Sequence, residues 1–244
     1  MNATNTAQPL EAPTVRRQLP LLRRRWLLIV LALVLLFLAW AAIDLYGPRQ
    51  TDVRRFDPAE VARLDTEMWR SYYARERFLL FRQLAELLRT QYRLPFLRSN
   101  LVAYKAAKAA FVFKEGKSRS DYEKALPYLL SFYAEICKVS NVEFNVERAA
   151  RLELEWWIIH RERAKYQPDD LERALAEAAA EIYQVPVETL SEHAYLRTEA
   201  MRIRDTKAES GGVTEEDWKQ INELLRASWL SLSRVVNAWT RAKD

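Results

Sequence analysis

The spacing of hydrophobic positions changes once along the chain, near residue 50. From Trp26 to Ile43, eighteen successive residues carry no charge, and Arg23, Arg24 and Arg25 stand directly before them. After residue 56, apolar side chains recur instead at intervals of three and four residues, which is typical of amphipathic helices. The pattern predicts one transmembrane helix followed by an all-α domain.

The apolar run is long enough to anchor the chain in a bilayer. Eighteen helical residues cover about 27 Å, close to the ~30 Å hydrocarbon core, and the following residues extend this reach. Aromatic rings near both ends suit the membrane–water interface. We predict an anchor over residues 23–46, held by Arg23, Arg24, Arg25, Trp26, Trp40 and Tyr46. A cleaved secretory signal is the alternative, because Ala39-Trp40-Ala41 has the small-x-small form of a cleavage site.

The positive charge of the chain is concentrated before the anchor. Residues 1–26 hold five arginines and one acid, a net charge of +4, whereas the whole chain carries +5, so residues 27–244 carry about +1. The positive-inside rule then places the N-terminus in the cytoplasm and the helical domain outside it, in the periplasm or at the cell surface. Binding to nucleic acid is not expected. Residues 1–22 are polar and aperiodic, which predicts a disordered cytoplasmic tail.

A linker over residues 47–56 and a helical domain over residues 57–244 are predicted to follow the anchor. Asp57-Pro58-Ala59-Glu60 is a helix start, with Asp57 as the cap and Glu60 able to reach back to its amide. The apolar stripe then continues to about Tyr92, which predicts one helix of some 35 residues. Leu94-Pro95 ends it.

Three related segments begin at Asp121, Asp170 and Asp217, 49 and 47 residues apart. Each follows a polar break, and each break follows a longer helical stretch: residues 95–114, 145–166 and 187–209. The domain therefore reads as a long helix followed by three helix–turn–helix hairpins, about seven helices in all.

The first hairpin resembles a tetratricopeptide (TPR) repeat. Its small residues Ala107 and Ala110 match a first helix, and Tyr122, Ala125 and Leu129 match the packing face of a second. The second hairpin shares Leu171 and Ala174 at the corresponding positions. The resemblance implies stacked hairpins and a protein-interaction scaffold, and an irregular helical bundle is the alternative fold.

A carboxylate–histidine cluster is the best candidate for chemistry. Glu153 and His160 share a helix face, Glu76 is embedded in another apolar stripe, and Glu199 lies on a third helix. Such a set could hold a metal pair in a bundle, but the Glu-x-x-His spacing of that chemistry is missing. The other interpretation is a set of ion pairs, in which Glu76, Glu153 or Glu155 faces Arg70, Arg82, Arg151, Arg163 or Arg202. We therefore expect no cofactor and no enzymatic activity.

The sequence favours a membrane-anchored scaffold, or an accessory subunit that contacts a protein partner at the membrane surface. The last helix carries a broad apolar face, and its candidate partner-binding residues are Trp218, Trp229 and Trp239. Two alternatives stay open. One is a metal-binding enzyme or carrier that uses Glu76, Glu153 and His160; the other is a sensor or ligand-binding domain with a pocket lined by Trp69, Tyr73 and Trp157.

Overall fold

The computed structural model describes residues 19–242, and the chain divides into two compact units between Ile43 and Asp44. Helix α1 (Leu19–Tyr46) contains a stretch, Arg23–Tyr46, that is long and apolar enough to cross a membrane. Its apolar side chains from Trp26 to Ile43 are largely exposed, as a lipid-facing helix requires. Of the predicted tail, residues 1–18 lie outside the described residues.

The second unit is all-α, as predicted. Within the described residues its β pairing is limited to an isolated bridge between Thr51 and Ser140. Single 3-10 turns precede α6, follow α7 and precede α9. The helices are α2 (Pro58–Ala74), α3 (Arg77–Thr90), α4 (Phe96–Glu115), α5 (Arg119–Tyr122), α6 (Leu126–Val139), α7 (Val146–Arg161), α8 (Asp170–Tyr183), α9 (Ser191–Glu209) and α10 (Glu215–Arg241).

The prediction of a single helix up to Tyr92 is wrong, because the chain breaks between α2 and α3. Arg75 adopts a left-handed conformation with φ of 63°, and its N–H caps the end of α2. The N–H of Glu76 returns to the carbonyl of Ser71 at 2.9 Å. Left-handed C-caps are usually glycine, so an arginine there leaves no sequence signal. The domain thus has eight long helices where about seven were expected.

The three repeated aspartates start helices by the same local chemistry. Each side chain reaches back and accepts the backbone N–H of a residue three or four positions earlier. The bonds join Lys117 to Asp121 at 3.3 Å, Gln167 to Asp170 at 2.9 Å and Thr214 to Asp217 at 2.9 Å. The predicted Asp57 cap of α2 is also present, although Gln91 rather than Glu60 binds its amide.

The eight long helices pack in the order of the chain and close on themselves. Each packs against the next long helix, and α10 packs against both α9 and α2. In an open array of helical repeats, each repeat contacts only its neighbours. The α2–α10 contact therefore departs from the open stack that the TPR resemblance implies, and it turns the series into a ring.

Asp65 ties together the three helices at the closure of this ring. From α2 it accepts Nη1 of Arg197 on α9 at 2.5 Å and Nε1 of Trp229 on α10 at 2.9 Å. The side chains of Asp65 and Arg197 are only 6% and 12% exposed. The guanidinium of Arg197 also lies over the rings of Trp69 and Trp229, at 5.4 and 5.8 Å from their centroids. Both charges are thus buried and mutually satisfied.

His193 on α9 joins Ser228 on α10 in a second buried contact. The ring Nδ1 lies 3.1 Å from the Ser228 carbonyl oxygen, which can only accept, so Nδ1 carries the hydrogen. In return, the Ser228 hydroxyl donates to the His193 carbonyl at 2.8 Å. Burial lowers the pKa of His193 to about 4, because the charged imidazolium would lose its hydration.

The segment predicted as a linker packs against the domain. Thr51 exchanges backbone hydrogen bonds with Val139 and Asn141 at 2.7 and 3.0 Å. Val53 is buried in the hydrophobic core, and the Arg54 guanidinium donates to the carbonyl of Tyr183. Residues 51–54 therefore belong to the fold of the second unit.

Replacement of Asp65 by alanine tests the closure of the ring. The change leaves the Arg197 charge buried without its partner, so we expect a loss of about 3 to 5 kcal/mol in the free energy of unfolding. Chemical denaturation of the detergent-solubilised chain, followed by circular dichroism, measures this loss. The double variant Asp65→Ala/Arg197→Met should recover part of it, because the unpaired charge is then gone.

Glu147→Ala is the matched control, since it breaks the pair between Glu147 and Arg151, which are both largely exposed. An exposed pair of this kind contributes about 0.5 kcal/mol. If Asp65→Ala cost no more than Glu147→Ala, the proposed role of Asp65 in the closure would be wrong.

The depressed pKa of His193 makes stability depend on pH. The unfolded chain takes up a proton near the ordinary pKa of about 6.5, whereas the folded chain resists protonation until about pH 4. The contribution of neutral His193 to the free energy of unfolding is therefore fully present above pH ~6.5. It is lost as pH falls towards 4, and the loss amounts to about 3 kcal/mol. Denaturation of wild type and His193→Gln across this range measures the effect. A wild-type advantage that stays constant with pH would contradict it.

Candidate functional site

The ring encloses a cavity of about 520 Å³. Its walls come from α2, α3, α4, α6, α7 and α9, while α8 and α10 contribute no wall residue. On α4 the wall consists of Ala106 and Ala110, one helical turn apart, together with Phe113. Small side chains at the first two positions leave space that larger ones would fill.

Aromatic rings dominate the cavity walls. Trp69, Tyr73 and Trp157, which the sequence analysis grouped as possible pocket residues, all line this space. Trp157 packs against the core formed mainly by α3, α4, α6 and α7, whereas Trp69 and Trp156 pack against the core formed mainly by α8, α9 and α10. The cavity therefore lies between the two cores, and its occupancy would affect both.

Glu153 on α7 faces the cavity from among these rings. Its Oε2 accepts the indole N–H of Trp156 at 2.9 Å and the hydroxyl of Tyr133 at 3.1 Å, and its Oε1 accepts the indole N–H of Trp157 at 3.0 Å. Burial raises the pKa of Glu153 above its ordinary value, although these hydrogen bonds oppose the shift. The carboxylate is thus saturated with donors from the wall itself.

Asp205 on α9 organises the opposite wall. It contacts Nε2 of His160 at 2.9 Å, Nη1 of Arg204 at 2.8 Å and Nη1 of Arg163 at 3.4 Å. Burial alone would raise the pKa of Asp205, but the hydrogen bonds from His160 and Arg204 outweigh it and hold the pKa below its ordinary value. This network links α7 to α9 with an ionised carboxylate at its centre.

A second recess of about 340 Å³ adjoins the cavity. It shares four of its wall residues with the cavity. We call it the basic mouth, because most of its wall residues are basic. Its wall residues are Tyr72, Tyr73, Arg75, Lys114, Arg161 and Arg204. Four of these six are cationic and none is acidic. Positive charge therefore accumulates beside the aromatic cavity, where the two spaces share their walls.

Lys114 lies at the centre of the basic mouth. Its ammonium donates to the carbonyl of Tyr72 at the end of α2 and lies 4.2 Å from the centroid of the Tyr72 ring. Burial, followed by the nearby charges of Arg75, Arg204 and Arg161, lowers the pKa of Lys114 to about 8. The Lys114 ammonium thus lies close enough to Arg75, Arg161 and Arg204 for their charges to add to the effect of burial.

The structure separates the candidate metal ligands. Glu153 and His160 both line the cavity, as their shared helix face predicted, but Glu76 is exposed at the break before α3. Glu199 pairs with Arg202 near the surface. Among the described residues, no group of three His, Cys, Asp or Glu side chains is arranged to hold a metal ion.

The partners of the glutamates Glu153 and Glu155 in the structure differ from the arginines suggested from the sequence. Glu153 binds indole and phenol groups, and Glu155 pairs with Arg119 at 2.5 Å. Of the suggested arginines, Arg202 pairs with Glu199 and Arg151 with Glu147. Sequence spacing cannot give the Arg119–Glu155 pair, because its partners lie on different helices, whereas the other two pairs lie one turn apart on one helix.

The three tryptophans suggested as a partner surface are half-buried. Trp218, Trp229 and Trp239 pack against the cores that involve α9 and α10, and Trp229 binds Asp65. Their role in binding a partner stays a prediction.

The basic mouth was not predicted from the sequence. Arg75, Lys114 and Arg161 stand at the C-terminal ends of α2, α4 and α7, where basic side chains commonly cap carbonyl groups. Each position is therefore ordinary when it is taken alone. Only the tertiary structure brings the four cations to one opening.

Comparison with known proteins gives no further guide. No family model matches the chain, and neither a curated protein nor a solved structure matches it. The cavity and its basic mouth therefore carry the functional interpretation.

Proposed function

We propose that this chain is a membrane-anchored sensor or ligand-binding protein that takes a small molecule with an apolar body into the cavity of its helical ring. The observation that carries the proposal is the cavity itself, about 520 Å³ and walled by aromatic rings from several helices. Ligand sites typically measure about 300 to 1,000 Å³, with mostly apolar walls and a few polar groups.

The position of the cavity between two cores supports a sensing role. Trp157 belongs to one core, and Trp69 and Trp156 to the other, so a bound molecule would contact both at once. Ligand that binds only the folded, filled form stabilises it by mass action. Binding would therefore increase the stability of the packing between the two halves of the ring.

The arginines before the apolar run support an orientation with the domain outside the cytoplasm. Five arginines precede the apolar run, whereas three, Arg49, Arg54 and Arg55, follow it closely. An excess of basic residues marks the cytoplasmic end of a membrane helix. The ligand would then be one found in the periplasm or at the cell surface.

Ala110→Trp tests the proposed binding by filling the cavity from α4. We expect wild-type protein to bind N-phenyl-1-naphthylamine, an uncharged fluorogenic probe, and the variant to lose at least about tenfold in affinity because the new ring occupies the site. The measurement is probe fluorescence excited by energy transfer from tryptophan, with the full chain in nanodiscs and empty nanodiscs subtracted.

Leu230→Trp is the control, because Leu230 is 48% exposed on α10, which provides no cavity wall. It adds the same fluorophore without filling the cavity, so its affinity for the probe should equal that of wild type. Circular dichroism verifies that both variants are folded. Equal binding by wild type and Ala110→Trp would show that the cavity is not the binding site.

An accessory-subunit role is a second proposal, and exposed apolar side chains on α4 support it. Phe96, Leu101 and Tyr104 are 54%, 44% and 57% exposed on the solvent side of this helix. Water contacts these groups at a free-energy cost that a protein partner would remove. The proposed partner is a protein with an apolar face at the same membrane.

A cysteine at Tyr104 tests the partner and the orientation in one experiment. In a Cys137→Ala background, a membrane-impermeant maleimide photocrosslinker applied to intact cells should label Tyr104→Cys, because the domain is proposed to lie outside. Illumination should then give an adduct of one defined mass. Labelling only after the membrane is opened would reverse the orientation.

Lys219→Cys is the control for the partner, since Lys219 is exposed on α10, away from α4. It should be labelled equally well but give no adduct of that mass. The same adduct from both positions, or none from Tyr104→Cys, would count against a partner surface on α4.

A further inference from the structure

We propose that the ligand of the cavity is an amphiphilic organic anion, with its apolar body among the aromatic rings and its carboxylate or phosphate head at the basic mouth. This inference rests on the proposed ligand-binding function and adds the chemical class of the ligand. It also fixes which way the ligand enters.

The first observation is the unbalanced charge of the mouth. Arg75 and Arg161 have no carboxylate partner among the described residues, and the only hydrogen bond of the Arg161 guanidinium there is to the Tyr72 hydroxyl at 3.5 Å. Lys114 binds backbone carbonyls, and Arg204 shares Asp205 with His160 and Arg163. An anion would meet several cations whose charge the protein leaves uncompensated.

Two other cations that line the cavity differ from those of the mouth. Arg197 is paired with Asp65, and Arg163 is paired with Asp205 and Glu209. These guanidinium groups, like that of Arg204, already have carboxylates within hydrogen-bond distance, so they offer less to a ligand than Arg75, Lys114 and Arg161 do. The mouth is therefore the part of the wall where an anionic head gains most.

Glu153 sets the direction of binding. It lies eight residues before Arg161 on α7, about 12 Å along the helix axis. When it is ionised, its charge disfavours a second anion at the inner end, while the mouth disfavours entry of a cation. A ligand with its head outward and a body of about 12 Å satisfies both constraints.

Tyr72 and Tyr73 connect the two parts of the site. Both rings line the cavity and the mouth, and the guanidinium of Arg204 lies 3.2 Å from the centroid of the Tyr73 ring. This stacking holds Arg204 at the boundary between aromatic and charged walls. An amphiphile presents the same boundary, between its body and its head.

Two probes that share one aromatic body test the proposal. 8-Anilino-1-naphthalenesulfonate carries a negative head, and N-phenyl-1-naphthylamine has the same rings without it. With the full chain in nanodiscs, we expect Arg161→Glu to raise the Kd of the sulfonate about tenfold or more and to leave that of the uncharged probe within about twofold.

Arg151→Glu is the matched control, with the same charge change at an exposed position of the same helix. It should leave both affinities unchanged, whereas Arg161→Lys should retain most of the sulfonate affinity. If Arg161→Glu weakened both probes alike or neither, the anion proposal would fail while the cavity still bound ligand. If wild type bound neither probe, the proposed function would fail too.

The pH dependence of binding gives an independent readout. The groups that face Lys114 are Tyr72, Tyr73, Arg75, Arg161 and Arg204, and of these the lysine titrates nearest to neutrality, with a pKa of about 8. The sulfonate keeps its charge throughout, so its Kd should rise as pH increases through 8. Lys114→Gln should abolish this rise, and an unchanged pH dependence in that variant would overturn the assignment of Lys114.

Competition distinguishes the possible sources of the anion. Decanoate or decyl phosphate should displace the sulfonate from protein in nanodiscs of neutral lipid if the site takes free molecules. If only nanodiscs that contain phosphatidic acid reduce its binding, the head belongs to a membrane lipid. Both results support an anionic ligand, whereas displacement by decanol as strong as that by decanoate would overturn it.

Discussion

One buried carboxylate connects the three helices that meet where the helical ring closes. Asp65 on α2 binds Arg197 from α9 and Trp229 from α10, so it connects the start of the domain to its end. A buried ion pair is a weak source of net stability, but it is very sensitive to geometry, since a displaced partner leaves a charge in an apolar environment. We therefore expect the pair to favour the closed arrangement, together with the apolar contacts between α2 and α10 around Ala62, Ile221 and Leu225.

The cavity is a consequence of this closure. The network around Asp205 joins α7 to α9 across the cavity, through His160 on α7 and Arg163 just after it. Likewise, Arg197 reaches Asp65 through its long side chain and stacks on Trp69 on the way. Charged side chains thus hold the walls apart, where apolar ones would let them collapse.

The sequence predicted the helices better than their arrangement. Apolar period and caps located α4, α7, α9 and α10, because both signals are local, and the face shared by Glu153 and His160 is a simple consequence of helix geometry. The break at Arg75 was missed because a left-handed arginine has no sequence signature. The repeated aspartates suggested an array of repeats, although capping alone accounts for them. The basic mouth depends on residues from four segments that only tertiary packing unites.

The hydrogen bonds of Glu153 determine how polar the aromatic part of the cavity wall is. Both indole N–H groups beside it, on Trp156 and Trp157, and the hydroxyl of Tyr133 are bound to its carboxylate. The rings therefore offer mostly apolar surface to the interior, and contact with it is non-directional and tolerant of shape. The orientation of the proposed ligand would therefore have to be set by another part of the wall. The basic mouth is the part where positive charge is not neutralised. A site built in this way discriminates strongly by the charge of the head and only weakly by the structure of the body, because a buried apolar contact distinguishes close analogues by about 1 to 3 kcal/mol.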